Sequence, residues 1–231
     1  MRETVLGNIL KDLDFVPADN QLLRCKWHKK KEANFLMNLP ENTSFLDIGA
    51  HFGDTSLTLA LFAKENKRSD INFFAFDPNP IKCEYIQKMS DLNELNIKVF
   101  NLALGETNGY VSVKELGIEL KGHCTYAVSE DGNKLSSLNE FLDLITPVGI
   151  MHVDVEGWET KVLLGADKIL ENVDICPKYV ILECWSSKDS IRRGFSNDPE
   201  FDIINEMNKY SHYNRIEDII DCEKNLVYQL I

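Results

Sequence analysis

The chain has 231 residues, 44% of them hydrophobic and 27% charged, with a formal net charge of −12. That is the make-up of one globular domain with a core of its own, and it excludes general disorder. The acidic balance also argues against a nucleic-acid partner, whose phosphates call for a basic footprint.

Residues 1–40 read as a helical lead-in. They carry the basic run Arg24, Lys26, His28, Lys29, Lys30 and Lys31, taken as a solvated helix face. Residues 1–10 lack the continuous apolar stretch of a signal peptide. Nowhere does an apolar run reach the roughly 20 residues that span a membrane. The six cysteines, Cys25, Cys83, Cys124, Cys176, Cys184 and Cys222, form no C-x-x-C pair. Neither a zinc knuckle nor a redox dithiol is therefore indicated, and the protein is expected to be soluble and cytoplasmic.

Residues 41–231 read as one α/β domain. Short apolar runs at 44–47, 71–77, 149–154 and 178–183 end in Asp47, Asp77, Asp154 and Glu183. Runs of this kind are buried strands of a mainly parallel sheet. A further strand is expected at 97–104. Helical patterns fall at 54–66, with Asp54 or Thr55 as cap, at 80–92, where Pro80 suits a first turn, and at 135–144, 159–170 and 199–210. The alternation predicts right-handed crossovers and a doubly wound sheet. Residues 106–131 interrupt it with an expected hairpin at Thr107-Asn-Gly109 and a polar stretch. Two closing strands, at 214–219 and 225–231 about a polar turn at 221–224, suggest an antiparallel edge.

The strand-to-helix turn Asp47-Ile-Gly-Ala-His-Phe-Gly53 lies where doubly wound sheets bind ligands. A dinucleotide fingerprint needs a glycine where His51 stands, and a Walker loop needs a lysine after its second glycine. Both phosphate-binding readings weaken, and with them a nicotinamide-dependent oxidoreductase. Asp47, Asp77 and Asp154, each at a strand end, are expected to face one crevice. They would repel phosphate and suit a cofactor bearing sulfonium and ammonium groups. An acid at Asp77, ending the second strand, can accept hydrogen bonds from both hydroxyls of a ribose, although it could instead cap the helix after it.

Several segments in order resemble the FkbM family of class I S-adenosylmethionine-dependent methyltransferases. They are Leu46-Asp-Ile-Gly-Ala-His-Phe-Gly53, Phe76-Asp-Pro-Asn-Pro80, Asn101-Leu-Ala-Leu-Gly105 with Gly109, Leu135-Ser-Ser-Leu138, and His152-Val-Asp-Val-Glu-Gly-Trp-Glu159 followed by Leu163-Leu-Gly-Ala166. The resemblance runs from about residue 44 to 185 and has no counterpart for 117–133. It implies a Rossmann-like, mainly parallel seven-stranded sheet with an antiparallel C-terminal edge strand. It also implies methyl transfer from S-adenosyl-L-methionine to a hydroxyl of a small molecule or sugar. Carried over by position, Asp47, Gly49 and Gly53 contact the methionine part, with His51 in the same loop. Asp77 binds the ribose, Asn101, Leu102 and Ala103 lie near the adenine, and Asp154 and Glu156 stand at the methyl-transfer crevice.

A hydroxyl acceptor must lose a proton. Asp154 is the leading base, with Glu156 beside it; His123 and His51 are alternatives. His152, set back along the strand from Asp154, reads as a hydrogen-bonded core histidine rather than a proton shuttle. Glu159 is expected in a first helical turn. Trp158 and Trp185 read as core, with a pocket wall the other reading. Asp154, Glu156 and Glu183 are carboxylates of the kind that hold Mg²⁺, but no spacing defines such a site, and no metal is expected. The alternative to an enzyme is an interaction protein that retains the methyltransferase fold.

Overall fold

The computed structural model describes residues 30–115, 124–184, 199–216 and 225–231. The strands in chain order are β1 (Ser44–Ile48), β2 (Asn72–Asp77), β3 (Ile97–Asn101), β4 (Ala103–Leu104), β5 (Gly109–Glu115), β6 (Cys124–Ser129), β7 (Asn133–Ser136), β8 (Val148–Val153), β9 (Tyr179–Glu183), β10 (Tyr213–Ile216) and β11 (Asn225–Leu230). The helices are α1 (Lys30–Met37), α2 (Asp54–Glu65), α3 (Pro80–Leu92), α4 (Leu142–Ile145), α5 (Glu159–Leu164), α6 (Asp167–Glu171) and α7 (Pro199–Met207).

Seven strands form the main sheet in the order β3-β2-β1-β8-β9-β11-β10. The first five of that row run parallel. β11 is antiparallel to both of its neighbours. The antiparallel strand thus belongs to the C-terminal edge pair, one place in from the outermost strand, β10.

Side chains alternate across the sheet and are buried on both faces, which is why these strands are apolar throughout. One face sets Phe45, Phe73, Ala75, Ile150 and Ile181 against Leu36 of α1, Leu59 of α2 and Ile86 of α3. The other sets Leu46, Ile48, Phe74, Phe76, Met151 and Val153 against Leu138, Leu163, Ile169 and Ile203. Gly149 is an extra residue between the pairs Ser44–Val148 and Phe45–Ile150, so the alternation of β8 shifts there.

The structure changes several local expectations. β3 ends at Asn101, and Ala103–Leu104 crosses to a second, four-stranded sheet in the order β4-β7-β5-β6. Residues 107–109 form no hairpin between neighbouring strands; β5 pairs instead with β6 and β7. The reason lies in Asn108, whose Oδ1 accepts from the Ser137 amide at 2.9 Å and the Ser136 hydroxyl at 3.3 Å. The expected helix at 135–144 begins as β7, because Leu135 pairs with Ala103 and Gly109. Helix follows only after Ser137, whose hydroxyl caps the Asn139 amide. The helix expected at 159–170 is broken into α5 and α6 at Gly165–Ala166. The lead-in before residue 30, His123, Trp185 and the turn at 221–224 lie outside the described residues.

Arg68 holds the connection from α1 into β1. Its Nη1 donates to the carbonyls of Leu36 and Met37, and its Nη2 to those of Leu39 and Pro40, all within 3.1–3.2 Å. Asp70 fixes the guanidinium at 2.9 Å. Leu36 and Met37 lie in the last turn of α1, whose carbonyls lack the usual amide four residues on. Arg68→Ala is expected to cost about 2–4 kcal/mol. Calorimetry should read this as a fall in Tm of about 5–15 °C, and Arg68→Lys should recover little of it.

Candidate functional site

The glycine loop is stitched between two strands. The amides of Gly49 and Ala50 both donate to the Phe76 carbonyl, at 2.9 and 3.0 Å, and the Asp154 amide donates to the Ile48 carbonyl at 2.9 Å. At Gly49, φ is +85°, and a Cβ there would lie 1.8 Å from the Asp154 carbonyl oxygen. No side chain fits, so glycine lets the loop after β1 pass directly over the turn after β8. His51 takes a left-handed φ of 50° without being glycine. Such a conformation persists only where the surroundings hold it. The hold is its own amide, which donates to Asp77 Oδ2 at 2.9 Å.

Asp47 lies beneath this loop and does not open onto the crevice; it is 1% exposed. Its Oδ2 accepts from the Ser56 amide at 3.0 Å, and its Oδ1 meets His152 Nδ1 at 3.1 Å. The helix cap is therefore neither Asp54 nor Thr55. Gly53 occupies the cap position in left-handed conformation with no side-chain bond of its own, and Asp47 reaches over from β1 to take a first-turn amide. His152, 5% exposed, is the hydrogen-bonded core histidine expected of its position. The carboxylate can only accept, so Nδ1 carries the proton.

Asp77, 6% exposed, is pinned at both oxygens. Oδ2 takes the His51 amide and Oδ1 the Asn79 amide, at 2.9 and 2.8 Å. Burial raises its carboxyl above the usual range, and the charge of Lys82 opposes that shift. The cap of α3 is Asn79, whose Oδ1 accepts from the Ile81 and Lys82 amides. Asp77 is thus not consumed as a helix cap. Asn101 joins it, with Nδ2 donating to the Asp77 carbonyl at 3.1 Å. Leu102 and Ala103 are both buried, Leu102 in the main core and Ala103 in a small cluster with Val111 and Leu135. Asn133 Nδ2 donates to the Pro78 carbonyl, which ties the second sheet to the end of β2.

Beyond β8 the chain makes a tight turn, with φ of 55° at Glu156 and 95° at Gly157. Glu159 opens α5 and folds back into the turn. Its Oε1 accepts from the Gly157 amide at 3.0 Å and the Val155 amide at 3.3 Å. Glu156 and Asp154 are partly buried, and Trp158 packs on the main core. Burial first, and the charge of Glu183 next, hold the Asp154 carboxyl well above its usual range; His152 acts in the other direction. Among the described residues, no group of three or more His, Cys, Asp or Glu could hold a metal ion. No helix of the described residues is long and apolar enough to cross a membrane.

The remaining motif residues form a seam away from the crevice. A Cβ at Gly165 would lie 1.9 Å from the Gly105 carbonyl oxygen, so the two backbones touch. The Gly165 carbonyl accepts from the Ser137 hydroxyl at 2.7 Å and the Asn139 amide at 3.1 Å. Reading the sequence missed Glu159 as a loop holder and Arg68 altogether. The signal for Glu159 was there, in an acid two residues after the glycine of a turn.

Sheet order, glycine loop and acid-ended second strand together define a Rossmann-like domain. The comparisons agree. The FkbM methyltransferase domain matches residues 47–141, a span that includes the loop and Asp77 but not 154–166. The hexuronic acid methyltransferase AglP of Haloferax volcanii is 27% identical over 154 residues, 64% of this chain and 59% of that protein. The chain thus spans less than two-thirds of that relative. Its fold is similar to that of the methyltransferase FkbM from Methylobacillus flagellatus, with a TM-score of 0.53 and 15% identity, over 97% of this chain and 57% of that one. A Streptococcus mutans protein solved in complex with SAH has a TM-score of 0.50 and 10% identity, over 87% of this chain and 97% of that one. These findings bear out the resemblance to the FkbM family.

The buried Glu159 carboxyl is raised by desolvation from 4.5 to about 7. The folded protein therefore holds this proton more tightly than the unfolded chain. Its contribution to stability is complete below the ordinary glutamate range and is lost as pH rises through about 7. Glu159→Gln keeps an accepting oxygen and cannot ionise. Thermal melts should show the variant gaining on the wild type between about pH 4.5 and 7, then holding a constant difference. A difference independent of pH would contradict this.

Proposed function

We propose that the chain is an S-adenosyl-L-methionine-dependent O-methyltransferase whose acceptor is a hydroxyl of a small molecule or sugar. The observation that carries this reading is Asp77. It ends β2 beside the glycine loop, and the His51 and Asn79 amides fix its orientation. Each carboxylate oxygen keeps accepting capacity after these bonds, which suits the two hydroxyls of a ribose. The acidic surroundings, Asp54, Asp77, Asp154 and Glu183, suit a cationic ligand and oppose a phosphate. The donor set therefore fits the cofactor.

In this reading Gly49, His51 and Gly53 shape the loop against which the methionine part lies, and Asp47 holds that shape from below. Asp77 takes the ribose, and the chain around Asn101, Leu102 and Ala103 bounds the adenine. When bound, the cofactor supplies an electrophilic methyl group on a sulfonium. The protein's task is then to place a hydroxyl in line with that methyl and to remove its proton. Asp154 is the base, because its raised carboxyl takes a proton more readily than an ordinary carboxylate does. Glu156, held in the strained turn next to it, orients the acceptor. His123, which lies outside the described residues, is the alternative base. The hexuronic acid methyltransferase relative supports a sugar-like acceptor.

Isothermal calorimetry tests the reading directly. S-adenosylmethionine and its demethylated product should both bind the full chain. Asp77→Ala should weaken both by about 10- to 100-fold, the worth of hydrogen bonds to a charged group. Asp77→Asn should weaken them less. No heat with either compound would overturn the proposal.

A further inference from the structure

Three residues from separated parts of the chain meet at one end of the sheet. In the ladder between β8 and β9, Val153 pairs with Leu182. Asp154 and Glu183 are the next residue on each side, so they stand next to each other on neighbouring parallel strands about 5 Å apart. By alternation both fall on the sheet face of His152 and Ile181. Glu183 pairs on its other side with Asn225 of β11, which is buried.

Both acids are partly buried, and their same-face positions on neighbouring strands bring the two side chains together. Two ionised carboxylates so placed repel each other, and a hydrogen bond between them needs a proton. Among the described residues, the titratable groups that act on Asp154 include His152 on β8, which favours the ionised form, Asp54 at the start of α2, which opposes it, and Glu159 at the start of α5, which lies within electrostatic reach. With Glu183, three of these four groups are acids. The surroundings thus favour one proton over none.

We infer that Asp154 and Glu183 share a single proton across the β8–β9 ladder, and that the pair, rather than Asp154 alone, is the base that receives the acceptor's proton. The inference rests on the proposed methyl-transfer reading. In the ligand-free state the pair carries one proton and one negative charge. As the acceptor oxygen forms its bond to the methyl carbon, the hydroxyl gives its proton to the ionised member. The electron pair of the breaking carbon–sulfur bond stays on sulfur, which loses its positive charge. The pair ends neutral with two protons and returns one to solvent. Asp154 faces the acceptor, and Glu183 is its positioning partner. The pair also disfavours an anionic group beside the reacting hydroxyl.

The test reads the ligand-free, full-length protein by infrared spectroscopy, in a Glu159→Gln background so that Glu159 gives no signal. A protonated-carboxyl carbonyl band should persist at neutral pH. It should be lost in Glu183→Gln and equally in Asp154→Asn, since either amide donates to the remaining carboxylate and lets it ionise. Circular dichroism checks that each variant is folded, and either one alone suffices. A band unchanged in both variants would overturn the inference. So would calorimetric binding of Mg²⁺ or Mn²⁺ alone that disappears in both, because the two acids would then hold a cation. The infrared result does not depend on cofactor. If the band behaves as expected and no cofactor binds, the methyl-transfer reading fails while the shared proton stands.

Discussion

The architecture depends on one buried charge, the Asp47 carboxylate. An ionised group so deeply buried is tolerated only if its lone pairs are met. Here β8 supplies His152 Nδ1 and the first turn of α2 supplies the Ser56 amide. That amide also sits at the positive end of the helix dipole. The bonds join three elements at one point and lock the glycine loop above them. The loop's shape then dictates the rest: Gly49 lies against the Asp154 carbonyl, and His51 is turned so that its amide orients Asp77. A leucine at position 47 would fill the volume but leave the Ser56 amide and the imidazole unmet.

The motif residues divide into two groups with different physical work. Gly49, His51, Asp77, Asp154 and Glu159 shape the crevice at the carboxyl ends of the central strands. Gly105, Asn108, Ser137 and Gly165 build the seam that fastens the second sheet to the start of α6. The seam reaches the crevice through Asn133 and the Pro78 carbonyl. Substitution in the seam is thus a matter of how the second sheet sits, and substitution in the crevice is a matter of loop shape at Gly49 and His51 and of charge at the acids.

Much of the main sheet was legible because parallel strands buried on both faces must be apolar along their length. Those at 44–47, 71–77, 149–154 and 178–183 lie within a residue of their expected ends. The acid at each end marked the edge of the sheet formed by the carboxyl ends of its strands. What escaped notice depends on contacts distant in sequence. Leu135 reads as helix until Ala103 and Gly109 pair with it as a strand. Asp47 reads as a crevice residue until His152, 105 positions away, claims its oxygen from behind. Asp154 and Glu183 read as two acids; only the strand order makes them neighbours. Arg68 carries no local signal, since its partners are backbone carbonyls about 30 residues back.

The central claim is that the loop at 49–53 and Asp77 form one cofactor cradle. A crystal structure of the protein with S-adenosylhomocysteine tests it most directly. The account predicts the amino-acid part of the ligand over residues 49–53, with both ribose hydroxyls within hydrogen-bond distance of the Asp77 carboxylate. A ligand bound elsewhere, or a ribose turned away from Asp77, would contradict it.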